Sequence, residues 1–257
     1  MSLSVHRSVS LTGYAILLTA IFMFARPLAA GPAAQTSPEV VPAPEADPHY
    51  TDVGFFDIHV CNWPDNQKFL MGLFSTFHFN DIQSIELFDN RGKSMGQLDP
   101  ERYRLVPNKE KKEKRVYIKH FSVPADNPDG WYSALITMNN GRKYLAKDYV
   151  VAQWLGIGEA VTPADQQTAV ALPVTLSWKA IPGAKHYRVF IKDEWAAQTV
   201  HESPVLDKPQ YVLPKGVLEP GGEYSWRIHA RDVNENALLG DFNHGSLSQP
   251  FSFTVAE

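Results

Sequence analysis

His59 and Cys61 stand two residues apart in the run HVC, a spacing that puts both side chains on one face of a β-strand. A thiolate beside an imidazole can act as a nucleophile pair or hold a soft metal such as copper(I), with His78, Met71 and Met138 as further ligand types. The competing reading is a small buried hydrophobe beside a histidine, because free cysteines are among the most buried residues. Asp232, Asn234 and Asn236 have the 1-3-5 spacing of a calcium loop, but position six is Ala237 and position twelve is Asn243. A hand-type loop needs Gly and Glu there, so that motif is excluded and only a looser site remains open. No G-x-S-x-G elbow, phosphate loop or dinucleotide fingerprint occurs. The chain therefore reads as non-enzymatic, and no cofactor is expected.

Binding is the better expectation. The long polar stretch from Asp232 to His244 offers Asn234, Glu235, Asn236, Asp241, Phe242, Asn243 and His244 on one loop. Trp195, in KDEWAAQ, is a candidate for stacking on sugar or protein, or else a plug between domains. The cations between Lys109 and Lys119 are interleaved with Glu110 and Glu113, which favours a solvated hairpin tip over a patch for acidic polysaccharide or lipid headgroups.

These residues need a scaffold, and the 257-residue chain has the composition for one: 44% hydrophobic, 20% charged, 12% aromatic. A net charge of −4 with no basic stripe excludes a nucleic-acid binder. Residues 1–30 contain Arg7 and Arg26 around the apolar run Leu11–Ala25, followed by PLAAGPAA. That run has the length of a signal-peptide core, with cleavage expected after Ala30; an uncleaved anchor is the alternative, and would be the chain's one contact with a membrane. Losing Arg7 and Arg26 from 24 cations, against 28 acids, takes the net charge from −4 to −6. Cys61 is the single cysteine, so no internal disulfide is available and packing must supply stability.

Residues 31–50 are rich in Pro and Ala and predict a disordered spacer. From residue 54 onward, short runs of Val, Ile, Phe, Tyr and Trp alternate with Gly, Pro, Asn and Asp, the pattern of an all-β sandwich. Strands are predicted at GFFDIHVCNW, FLMGLFSTF, IQSIELFD, RYRLV, KRVYIKHF, GWYSALITM and RKYLAKDYVV, the last with the mixed face of an edge strand. A second series follows at TLSW, HYRVFIKD, QYVLP, EYSWRIHARD and QPFSFTV. The domains are thus 51–156 and 157–257.

In LEPGGEY, Leu218 is placed to plug a corner, Pro220 and Gly221 to turn, and Tyr224 to fold its ring over the turn and hydrogen-bond upstream backbone. With Trp178 in TLSW, Tyr187 in HYRVFIKD and the tail SQPFSFTV, four elements occur in the order of the fibronectin type III family, which residues 163–255 resemble. The first half resembles an immunoglobulin-like sandwich through DNPDGWYSALI. Gly130 and Tyr132 fit that corner, while position 128 is Pro where the motif has Asp. The resemblance implies two tandem sandwiches that bind partners through loops at one end. The lead-in VTLSWKAIPGAKHY resembles bacterial versions. With the N-terminal segment it implies an exported bacterial protein, periplasmic or extracellular, that binds an envelope or extracellular protein or a glycan. A carbohydrate-binding accessory module and a copper protein around His59 and Cys61 are the alternatives.

Overall fold

The computed structural model describes residues 39–65, 67–106, 112–233 and 242–257. Among them every regular element is a strand. The first sandwich contains β1 (Val40–Pro42), β2 (Tyr50–Thr51), β3 (Gly54–Trp63), β4 (Gln67–Thr76), β5 (Ile82–Phe88), β6 (Ser94–Gln97), β7 (Tyr103–Leu105), β8 (Arg115–Phe121), β9 (Gly130–Met138) and β10 (Lys143–Val150). The second contains β11 (Ala160–Thr162), β12 (Gln167–Val170), β13 (Thr175–Trp178), β14 (His186–Asp193), β15 (Gln198–Glu202), β16 (Gln210–Val212), β17 (Glu223–Arg231), β18 (His244–Leu247) and β19 (Phe251–Val255).

In the first sandwich a sheet ordered β1-β10-β9-β5-β6 faces one ordered β3-β4-β8-β7. Side chains two apart enter the space between them. Phe56, Ile58 and Val60 from β3 meet Leu70 and Phe74 from β4, Leu87 from β5, and Tyr132, Ala134 and Ile136 from β9. In the second, β11-β13-β16 faces β15-β14-β17-β19. Its core gathers Trp178, Tyr187, Tyr224, Trp226, Ile228 and Phe253. The Trp178 ring stands 5.3 Å from Tyr187 and 6.2 Å from Trp226, within the range of favourable aromatic pairs. This is the immunoglobulin and fibronectin type III arrangement in tandem.

Both corners close as their sequences require. The backbone N–H of Glu219 donates to the Tyr224 hydroxyl at 3.0 Å. The ring lies so close over Gly222 that a Cβ there would meet it at 2.6 Å, which is why this position is a glycine. In the first sandwich, the Tyr132 hydroxyl donates to the Pro128 carbonyl at 2.8 Å. The acceptor is a backbone carbonyl, so an Asp at 128 is dispensable.

Three sequence expectations are corrected. The spacer assigned to residues 31–50 is ordered in its second half: Val40–Pro42 pairs in parallel with β10, Val41 packs on the first core, and Tyr50–Thr51 pairs with β3. Two β-branched residues suffice to cap the exposed ladder of β10. For the same reason β10 is no edge strand, since it lies between β9 and β1; its mixed face has another cause, the buried ion pair of Asp148 described below. Finally, Trp154 packs on the first core and Leu155 belongs to the second, so the chain changes sandwich between these residues rather than after 156.

The Tyr224→Phe variant keeps the ring and leaves the Glu219 N–H without its acceptor. It should lose about 1 kcal/mol of stability, seen as a lower urea midpoint with unchanged near-ultraviolet circular dichroism.

Candidate functional site

The two sandwiches are joined through β3. This strand is buried on both faces: Phe56, Ile58 and Val60 point into the first core, while Asp57, His59 and Cys61 point away from it and are equally buried. What covers that second face is the chain after β17. β18 pairs in parallel with β3, His244 opposite Val60, Gly245 opposite Cys61 and Ser246 opposite Asn62. The Val60 N–H also donates to the Asn243 carbonyl at 2.8 Å. Since β18 pairs with β17 on its other side, one sheet runs through both sandwiches.

Phe242 seals this joint. It is 2% exposed and packs with Cys61 and Phe69. Its ring centre lies 4.1 Å from that of His59 and 5.2 Å from that of His229, with the Arg231 guanidinium 5.3 Å away. A Cβ on Gly245 would meet the Phe242 ring at 2.4 Å, so only glycine fits beneath it. His244 pins the other side: Nδ1 donates to Asp232 Oδ2 at 2.7 Å and Nε2 to the Val151 carbonyl at 2.6 Å, where the first sandwich ends. Both ring nitrogens face acceptors, and the Asp232 hydrogen bond raises the His244 pKa. Asn62 Nδ2 adds a 2.8 Å bond to the Leu155 carbonyl.

His59 and Cys61 do share a face, as their spacing predicts, but they do not form a thiolate pair. His59 Nε2 donates to Asp57 Oδ2 at 2.9 Å. Burial pushes the Cys61 thiol far up, so it remains protonated among aromatic rings. Met71 packs beside it, Met138 lies in the first core and His78 is exposed on a turn. His229 is neutral: burial, and then the charge of Arg231, push its pKa well down. Arg231 Nη2 accordingly lies 3.2 Å from His229 Nδ1 as a donor.

A second polar cluster lies at the edge of the first sandwich. His49 Nδ1 donates to Asp47 Oδ1 at 2.9 Å and Nε2 to Asp148 Oδ1 at 3.0 Å. Asp148 Oδ2 accepts the Ile58 N–H at 2.8 Å. The bond to Asp148 raises the His49 pKa to about 9, while burial raises that of Asp148 against the pull of His49. Among the described residues, His49, Asp57 and Asp148 are the group whose ligand atoms come close enough to hold a metal, all within 4.8 Å. With both ring nitrogens protonated, however, His49 is already the cation of the site, and a metal would have to displace that proton. Sequence reasoning missed this cluster because its members are 99 residues apart and His49 lies in an apparent spacer.

Of the predicted binding loop, Asn234, Glu235, Asn236 and Asp241 lie outside the described residues. Asp232, the first position of the calcium-like spacing, is bound to His244. Phe242 and His244, expected on display, are turned into the joint, while Asn243 is exposed and contributes its backbone carbonyl to Val60. Trp195 is 70% exposed on the β14–β15 turn, where Asp193 Oδ1 accepts the N–H groups of Trp195 and Ala196. It does not plug the domain gap. The exposed feature that sequence reading did not single out is a cross-strand pair: Trp131 and Tyr149 face each other on β9 and β10, 51% and 54% exposed, with ring centres 5.2 Å apart at 76°. Its signal was the alternation itself, since Tyr132 and Val150 point inward and their neighbours must point out.

No protein-family model matches the chain, and no curated protein matches it. Among solved structures, similarity is found to the FN1-FN3 domains of chicken CNTN1, with 12% identity, TM-score 0.35, and coverage of 86% of this chain and 68% of that one. Tp47, the 47-kilodalton lipoprotein of Treponema pallidum, gives 11% identity and TM-score 0.37 over 71% of this chain and 46% of its own. The tandem Ig repeats of Dlar give 15% identity and TM-score 0.31 over 79% and 98%. The fold assignment rests on the strand order, the two corner tyrosines and the two cores.

Phe242→Ala should cost about 3–5 kcal/mol and open the joint. Its native-state readout is Cys61, which should resist thiol reagents in the parent protein and react in the variant. Stability should also fall as pH rises. His49 is charged in the folded chain up to about pH 9 and in the unfolded chain only below about 6.5. Its contribution is therefore complete below pH 6.5 and is lost toward pH 9; because the ring is partly exposed, a loss on the order of 1 kcal/mol is expected. His49→Gln should flatten that slope in urea titrations run at a series of pH values.

Proposed function

We propose that the chain is a non-enzymatic, exported interaction protein that binds a protein partner through the outer face of the β1-β10-β9-β5-β6 sheet. The observation that supports it is the Trp131–Tyr149 pair. Large aromatic side chains half exposed on a rigid sheet are the residue types that dominate binding energy at protein interfaces. Around the pair, the same face carries the partly buried Leu135, Leu145 and Phe88. Lys143 and Lys147 also point outward there, and the nearby Glu86 is engaged by the Ser94 hydroxyl at 2.6 Å. An apolar centre with a cationic margin suits a partner surface that is apolar with acidic groups at its rim.

Ring geometry favours protein over glycan. Polysaccharide platforms need aromatic faces that are coplanar and turned the same way, so that successive sugar rings lie flat on them. At 76° one of these rings presents its edge. An enzymatic reading gains no support from His49, His59 or His244. His49 and His244 each have both nitrogens in use, and the bare Nδ1 of His59 is sealed under Phe242. Export rests on the apolar run Leu11–Ala25, outside the described residues, and a periplasmic or extracellular bacterial location is part of the same proposal.

Trp131→Ala and Tyr149→Ala should each weaken capture of a partner from envelope extract by about 30-fold or more, the threshold of a hot spot, without changing the melting temperature. Trp195→Ala is the control and should bind as the parent. Undiminished capture by the Trp131→Ala, Tyr149→Ala double variant would overturn this assignment of the surface.

A further inference from the structure

In the second sandwich, the loop after β12 and the loop after β16 enclose a pocket of about 370 Å³. Leu172, Val174, Leu213 and Leu218 form its walls, Pro173 and Pro214 its shoulders, and Lys215 stands on its rim. Val174, Leu213 and Leu218 are buried members of the second core, so the pocket is an inlet into that core. Its walls are held in place, because the Leu213 N–H donates to the Val174 carbonyl at 3.0 Å.

We propose that this inlet binds a fatty acid, an alkyl chain carrying a carboxylate head group. Three features select that chemistry. The walls carry no side-chain hydrogen-bonding group, and Leu172 is left 45% exposed at the mouth, a cost that an apolar ligand removes. The two prolines lack N–H donors and the Leu213 N–H is already bonded, so an incoming peptide strand finds little to pair with. Lys215 is the one charged residue of the lining, and no acid accompanies it there. A methylene group occupies about as much room as a water molecule, ~30 Å³, so 370 Å³ admits a chain of about ten to twelve carbons.

The test is calorimetric titration of the full chain with octanoate, decanoate, dodecanoate and hexadecanoate, each below its micelle concentration. Affinity should rise about fourfold per added methylene up to the chain that fills the inlet, and then level off. Leu172→Glu, a change at an exposed rim residue, should abolish binding of decanoate. Lys215→Glu should weaken it roughly fivefold and narrow the preference for decanoate over decylammonium. Circular dichroism of both variants should match the parent. The proposal is overturned if decanoate does not bind, if decylammonium binds the parent equally well, or if affinity keeps rising through hexadecanoate. It is equally overturned if Leu172→Glu leaves binding unchanged, which would place the chain elsewhere, including on the apolar run near the N-terminus. Octanol and octyl glucoside test the head group: binding as tight as that of octanoate would assign the inlet to neutral chains, remove the role of Lys215 and overturn the proposal.

Discussion

The parallel pairing of β18 with β3 is the constraint on which the rest of the molecule depends. β3 is the outermost strand of its sheet in the first sandwich for most of its length, and an unpaired strand of ten residues is an invitation to association. β18 satisfies that edge from within the same chain. Because β18 is also bonded to β17, the interior strand of the second sandwich, the joint is a ladder of backbone hydrogen bonds rather than a contact of two finished surfaces. Linkers between sandwiches normally allow hinge motion; a shared sheet removes it. The Trp131–Tyr149 face and the apolar inlet of the second sandwich are therefore carried at a fixed separation.

Polar groups take part in the joint beside its apolar cluster, and this has a physical use. Slipping β18 by one residue along β3 would turn every side chain to the opposite face. An apolar seam tolerates such a slip more easily than one in which His244, held by Asp232, reaches the Val151 carbonyl of the first sandwich. A slip would break that bond and the Val60 N–H bond to the Asn243 carbonyl, leaving polar groups at the joint without partners. Phe242 and Gly245 act in the same direction through shape: the ring fits only over a residue without a side chain.

Much of the fold was legible in the sequence because it depends on local rules. Alternation locates all seven strands expected in the first half and all five in the second, and LEPGGEY locates the corner around Tyr224. The strands that escaped notice, β1, β2, β6, β11, β12, β15 and β18, are two to five residues long and mostly exposed or fixed by their neighbours. HGSL carries no period that would announce β18; it is a strand because β3 and β17 flank it. The site was less legible for the same reason. A polar loop from Asp232 to His244 reads as a displayed binding loop, and nothing local says that Phe242 and His244 will find β3 and Val151, more than 90 residues away in the case of Val151. Likewise, HVC correctly predicted a shared face for His59 and Cys61, while the second layer that buries that face comes from the far end of the chain.

The two acids at the edge of the first sandwich show how such long-range closure changes chemistry. Asp57 and Asp148 are both nearly inaccessible, and two carboxylates so close would repel if nothing intervened. His49 supplies the countercharge to Asp148, His59 donates to Asp57, and the Ile58 N–H between them donates to Asp148. His49 arrives from the segment that follows β1, and the ring of His59 is held by Phe242 from the second sandwich. The ionisation of the first sandwich's edge is thus tied to elements before it and after it in the chain. Removing the segment of His49 leaves the buried Asp148 short of its countercharge, so residues 39–51, both sandwiches and the joint form one cooperative unit rather than two domains on a string.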